Sequence, residues 1–234
     1  MAKISSGSYD LNNWLYGGYE KDVITCFYGG PGTGKTNLCL LAAVSQAKKG
    51  NKVIYIDTEG GFSSERVKQI VAKGNGKGLD EKGVLENILI LRATNFSEQK
   101  KAFDDLLKNL KKEVSLILVD GMTMLYRLEL GDARDKSRED IQRVNSELAR
   151  QMRILAEIAI KQGIPVLVTN QVYSWDGQIE MVGGDILKYW SKCLIEIVND
   201  KGRRTMHLRK HRSLEEKNLT FQIWDGGIRK RGWL

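Results

Sequence analysis

At 234 residues, 41% of them apolar and two of them proline, the chain is long enough for one sizeable α/β domain and too apolar to stay disordered. Its longest wholly apolar run, Leu38 to Val44, is seven residues, so no stretch spans a membrane, and no basic segment followed by an apolar one opens the chain as a secretory signal. The net charge of +8 is concentrated late: residues 201–234 hold ten Lys and Arg against three acids and both histidines, which points to a polyanionic partner or, more plainly, to a solvated basic edge.

In chain order, residues 1–21 are short and polar and read as a lead-in turn or helix, with a single domain over 22–234. Val23 to Tyr28 is rich in β-branched and aromatic residues and reads as a strand. A glycine cluster follows, and then a helix over 35–49 with Gly50 as its C-cap. Between them, Gly29-Gly30-Pro31-Gly32-Thr33-Gly34-Lys35-Thr36 fits G-x-x-x-x-G-K-[ST]. Glycines let successive backbone N–H groups converge on phosphate oxygens, and the helix N-terminus adds its own unpaired donors and dipole. Lys35 would reach the β- and γ-phosphates, and Thr36 would ligate Mg²⁺. Asn37, the next residue, is counted with the nucleotide-binding set.

Lys52 to Asp57 is a nearly unbroken apolar strand, as expected for a parallel sheet covered on both faces, and it runs into Thr58-Glu59-Gly60-Gly61. Glu59 would stand at the same sheet edge as the phosphate loop; a loop acid near the start of the next helix is the simpler alternative. A helix over 62–73, a glycine-rich insert over 73–83, a strand over 87–91 and a helix over 97–111 follow. Val114 to Asp120 is a buried strand ending in one carboxylate, 85 residues after Lys35, the arrangement by which Asp120 would hold Mg²⁺ opposite Thr36. Residues 121–137 read as a polar loop containing Arg127. Ile141, Val144, Leu148, Met152, Leu155 and Ala159 form the apolar stripe of a long helix over about 137–162. A further parallel strand, 164–170, leads to Gln171 and a second polar loop, 172–182, with Tyr173 and Trp175. A short helix (183–190) precedes strands at 192–199, 203–210 and 219–224, the first two joined by a hairpin turn at Asp200-Lys201-Gly202. Cys26, Cys39 and Cys193 fall in separate elements, which predicts buried reduced thiols and a cytoplasmic setting. The fold expected is a P-loop α/β domain with a central, mostly parallel sheet and antiparallel strands at its C-terminal side.

With these motifs in place, the order and spacing of the flanking residues resemble the RecA/RadA recombinase superfamily, and within it the archaeal RadB group, over about residues 5–230. Ser6-Gly7-Ser8 with Gly17-Gly18, Tyr28 to Thr36, Tyr55-Ile56-Asp57-Thr58-Glu59 and Val168-Thr169-Asn170-Gln171-Val172 carry the resemblance. It implies a RecA-like ATPase core that binds ATP and Mg²⁺. Glu59 would orient the attacking water, Gln171 would sense the γ-phosphate, and Arg66 and Gln69 would pack near the adenine. The resemblance also implies that the loops around Arg127 and around Tyr173 and Trp175 face single-stranded DNA. For Lys210-His211-Arg212 it leaves three readings open: DNA phosphates, a neighbouring subunit's nucleotide, or a charged strand tip that discourages aggregation.

Three departures from the superfamily pattern temper the expectation. The sequence begins at the ATPase core, without the N-terminal helical DNA-binding domain and the linker that docks RadA subunits into filaments. Gly121 follows Asp120 where a serine is usual, and loop 172–182 is short. The reading is therefore a DNA-binding recombination paralogue that assists repair, with weak ATPase and little independent strand exchange. A recombinase or polymerase partner and self-association are left open, and no membrane partner is expected. The alternatives are an ATP-gated, non-catalytic mediator and a RecA-like ATPase outside DNA repair.

Overall fold

The structure, a computed structural model, describes residues 2–74, 78–135, 137–175 and 178–232, and at 174–175 and 178–179 the backbone alone. A two-stranded antiparallel ribbon of β1 (Lys3–Ile4) and β2 (Tyr19–Glu20) flanks α1 (Tyr9–Trp14). The core then runs β3 (Ile24–Gly29), α2 (Lys35–Ala47), β4 (Lys52–Asp57), α3 (Ser64–Lys73), α4 (Glu81–Glu86), β5 (Ile88–Arg92), α5 (Phe96–Asn109) and β6 (Val114–Asp120). It continues with α6 (Met124–Arg134), α7 (Arg138–Gln162), β7 (Val166–Asn170), the hairpin β8 (Val172–Trp175) and β9 (Gln178–Met181), and α8 (Gly184–Trp190). The chain closes with β10 (Ser191–Asp200), β11 (Arg203–Lys210), β12 (Lys217–Trp224) and β13 (Gly227–Lys230).

Nine strands form the central sheet in the order β13-β12-β11-β10-β3-β7-β6-β4-β5, parallel from β10 to β5 and antiparallel from β10 to β13. The parallel strands are apolar on both faces. In β6, Leu116 and Leu118 pack beneath the layer containing α1 to α4, and Ile117 and Val119 beneath α5 to α8. The antiparallel strands are apolar on one face only. Met206, Leu208, Leu219 and Phe221 join the first core, while Thr205, His207, Asn218 and Thr220 alternate with them and pair across the strands. One covered face needs alternation and two need a continuous run, which is the difference the sequence shows. Parallel pairing brings the carboxyl ends of β3, β4, β6 and β7 to one edge.

Several boundaries differ from the sequence reading. The segment expected to be a polar loop at 121–137 is largely α6, which buries Leu125, Tyr126 and Ala133; its N-cap, Thr123, makes no side-chain capping bond, so no start signal marked it. The loop expected at 172–182 is the β8–β9 hairpin. Part of the glycine-rich insert is α4, capped by Asp80, which accepts from Gly83 N. Strand β13 and the β1–β2 ribbon are too short to leave a pattern. The lead-in does not stand apart: Leu11 and Trp14 enter the core, Ser8 Oγ donates to Ile228 O at 3.2 Å, and Lys230 N donates to Asp10 Oδ2 at 2.6 Å.

The cysteines sit as expected, in β3, α2 and β10, buried and unpaired, with burial pushing the Cys193 thiol up to about 12. Among the described residues no helix is long and apolar enough to cross a membrane.

Candidate functional site

The loop between β3 and α2 has the shape its composition demands. Gly34 caps the helix at φ 106° with no side-chain hydrogen bond, and a Cβ there would come within 2.9 Å of Ile223 Cδ1, so only glycine is unstrained. The first amides of α2 are thus left free of a side-chain cap. An added Cβ at Gly30 or Gly32 would meet nothing within 4 Å, which leaves the face of the loop open. Thr33 Oγ1 donates to Gly30 O at 2.9 Å, and Arg204 from β11 braces the loop from behind by donating to Gly32 O at 3.3 Å. Lys35 folds over the loop and donates to Gly29 O and Gly30 O, both at 2.8 Å. Burial holds its pKa below the ordinary lysine value, opposed by Glu59 and Asp120. The hydrogen bonds of this ammonium go to carbonyl dipoles, and a phosphate would satisfy it better.

Thr36 and Asp120 converge on one hollow. A Cβ built on Gly61 would lie 3.3 Å from Thr36 Oγ1 and 3.4 Å from Asp120 Oδ2, so a glycine keeps open the space that the hydroxyl and the carboxylate share. This oxygen-donor set fits Mg²⁺, which takes one or two protein oxygens and completes its shell with phosphate and water. Asp57, paired with Asp120 in the sheet register, shapes the neighbouring loop by accepting from Gly61 N and Phe62 N, each at 3.1 Å. Among the described residues no cluster of three His, Cys, Asp or Glu competes as a metal site.

Glu59 follows β4 at the same edge, where its Oε1 accepts from Gln171 Nε2 at 3.0 Å. Its side chain remains open to solvent at the surface, yet the walls of the cleft remove enough water to raise its pKa, partly offset by the Gln171 bond. Gly121 adopts φ 95°, and a side chain there would overlap the Thr58 hydroxyl and come within 2.6 Å of Glu59 Cγ. The departure from serine therefore has a steric basis in this loop arrangement.

Arg66, Gln69 and Asn37 come together as one cluster beside α2. Arg66 Nε donates to Asn37 Oδ1 at 2.8 Å and Nη1 to Gln69 Oε1 at 3.0 Å, while its other N–H groups hold the β12–β13 turn through Trp224 O (2.7 Å) and Asp225 O (3.0 Å). These hydrogen bonds fix the plane of the guanidinium against α2 and the β12–β13 turn.

The rim extends into the second candidate surface. Val182 N donates to Gln171 O at 3.2 Å, Asn170 Nδ2 donates to Val182 O at 2.9 Å, and Thr123 and Asn170 share a short hydrogen bond. These contacts tie the start of α6 and both ends of the β8–β9 hairpin to the carboxyl end of β7. As a result Arg127 and Tyr173, predicted on separate loops, meet: the guanidinium carbon lies 5.8 Å from the ring centroid, and the tyrosine is exposed. The side chain of Trp175 lies outside the described residues.

Lys210, His211 and Arg212 are engaged within the chain. Lys210 Nζ caps the end of α8 by donating to Lys188 O (2.7 Å) and Ser191 O (2.9 Å). Arg212 grips Asp22 with two hydrogen bonds of 2.8 and 2.6 Å, which raises its own pKa and lowers that of Asp22. Its Nε also lies 2.8 Å from the buried Glu20 Oε2, an ion-pair contact without hydrogen-bond geometry. The side chain of His211 is buried 3.9 Å from the same oxygen, and burial lowers its pKa. Basic composition alone gave no hint of these acidic partners, which come from β2 and the turn after it.

Sequence reasoning gave no role of their own to Tyr55, Asp57, Thr169 and Arg204, although the first three lie in stretches that carry the family resemblance. A carboxylate at the end of β4, matching Asp120 at the end of β6, was the one legible signal among them.

A family model described as Rad51 matches residues 1–231. A protein named DNA repair and recombination protein RadB from Methanocaldococcus jannaschii is 40% identical over 218 residues, covering 93% of this chain and 98% of that one. A RadB of the same description from Methanobrevibacter smithii is 39% identical over 229 residues, covering 93% and 92%. A crystal structure of the RadB recombinase superposes with a TM-score of 0.80 at 31% identity, covering 98% of this chain and all of that one.

Proposed function

The chain belongs to the Rad51 family, and from that premise we propose that it binds Mg·ATP at the β3–α2 loop and single-stranded DNA on the adjoining α6–hairpin surface, as an accessory protein of homologous recombination and repair. The names of its relatives favour this over a RecA-like ATPase working outside DNA repair. One observation carries the reading. The Glu59–Gln171 hydrogen bond joins the phosphate rim directly to the hairpin that sets Tyr173 against Arg127. A γ-phosphate competing for the Gln171 amide would alter that bond, and with it the seating of the hairpin.

Thr36 and Asp120 would hold the cation, which would neutralise phosphate charge. Lys35 would leave the loop carbonyls for the β- and γ-phosphates, and Glu59 would orient the attacking water. Turnover is expected to be weak, and a recombinase of the same family is the partner class that fits.

The DNA half is tested by measuring single-strand affinity against salt. Tyr173→Ala is expected to lose about 1–3 kcal/mol if one base stacks there. Arg127→Ala should flatten the dependence of log K on log salt by about 0.7, the value of one phosphate contact on a single strand. Arg212→Ala, which breaks an internal ion pair, should leave both unchanged. Loss of binding through Arg212 alone, with Tyr173 and Arg127 silent, would move the DNA site to the basic triplet.

A further inference from the structure

The carboxylate that would face the cation is held from both sides by hydroxyl groups that no motif assigns. Tyr55 OH donates to Asp120 Oδ2 at 2.8 Å, and Thr169 Oγ1 donates to Asp120 Oδ1 at 2.7 Å. The Thr169 hydroxyl is itself oriented by Gly121 N, which donates to it at 2.7 Å. Tyr55, Asp120 and Thr169 are all buried, so none of these bonds is shared with bulk water in the fold as it stands.

The tyrosine is fixed in turn. Its ring packs edge-to-face against Phe62, with centroids 5.2 Å apart at 81°, and Phe62 N is anchored on Asp57 Oδ2. An un-ionised phenol has one O–H to donate, and the position of Asp120 Oδ2 determines where it goes. Packing alone would be served equally by phenylalanine at 55 and valine at 169. A buried hydroxyl is tolerated only where it has a partner, and here both hydroxyls have the same one. One O–H donor on each oxygen fixes the rotation of the carboxylate and still leaves Oδ2, the oxygen at the hollow shared with Thr36, with lone-pair capacity for a cation.

We propose that Tyr55 and Thr169 are positioning residues for Asp120, and that together they set the affinity of the nucleotide site for its divalent cation. This inference rests on the Mg·ATP reading above. Groups that orient a metal ligand from behind typically change metal affinity by about 10–100-fold when removed.

The test is a Mg²⁺ titration of a fluorescent ATP analogue bound to the full chain, for wild type, Tyr55→Phe and Thr169→Val, with Mn²⁺ paramagnetic resonance as a direct count of bound cation. The half-saturating Mg²⁺ concentration should rise by about tenfold or more in each variant. Nucleotide affinity without the cation should stay at the wild-type value, a split that a general loss of fold would not produce. Should Tyr55→Phe melt below the assay temperature, Thr169→Val puts the same question from the other oxygen. Variants that are folded and share the wild-type Mg²⁺ midpoint would overturn the inference while leaving the nucleotide reading intact. A wild-type protein with no Mg²⁺-dependent nucleotide binding would overturn both.

Discussion

Lys35→Ala is expected to reduce ATP hydrolysis by about 10²–10³-fold and to weaken nucleotide binding, the scale on which removing one oriented charge-stabilising donor acts. The ammonium is held close to the loop it serves, bridging Gly29 O and Gly30 O, and its pKa is lowered by burial. Both observations describe a cation partly stripped of water and without an anionic hydrogen-bond partner, which is the state in which a phosphate gains most from it. Alanine also removes the bridge across the loop, so melting curves must accompany the kinetics. A folded Lys35→Ala protein that hydrolyses γ-labelled ATP at the wild-type rate would remove the phosphate-binding assignment.

Glu59→Gln should leave ATP bound and lower hydrolysis by about 10²–10⁴-fold, the span usual for a positioned general base. The amide keeps the size of the side chain and can still meet Gln171, so the loss would isolate the charge. The pH profile gives a second signature. Burial raises the Glu59 pKa, and only the ionised form can orient and polarise water. Wild-type hydrolysis should therefore fall on the acid side at a pH higher than an ordinary glutamate would give, and rise to a plateau above it. In Glu59→Gln that acid limb should vanish. An unchanged limb would place the titration on another group.

Much of this architecture could be read from the residues because local pattern and long-range requirement coincide there. Lys52–Asp57 and Val114–Asp120 emerged with the bounds expected of them, since a strand buried on both faces has to be a continuous apolar run ending where the polar rim begins. The turn between β3 and α2 was equally legible, because Gly34 and Lys35 answer to backbone geometry at one place in the chain.

What escaped notice depends on distant partners. Helix α6 has charges between its buried Leu125, Tyr126 and Ala133 and no capping bond at Thr123, so nothing local separates it from a loop. The meeting of Arg127 with Tyr173 depends on Asn170 and Gln171 pinning the hairpin. Lys210, His211 and Arg212 read as free charge because Glu20 and Asp22, which neutralise Arg212, lie about 190 residues earlier in the chain. The hydroxyls on Asp120 were hidden for the same reason: a buried tyrosine or threonine looks like packing until its partner is found.

The most direct measurement is the affinity of the full chain for single-stranded DNA at fixed salt in three states: with a non-hydrolysable Mg·ATP analogue, with Mg·ADP and without nucleotide. Because the Glu59–Gln171 bond links the rim proposed to hold phosphate to the Tyr173 hairpin, the affinity with the triphosphate should differ from that in the other two states, and Gln171→Ala should erase the difference. Equal affinities in all three states would contradict that coupling.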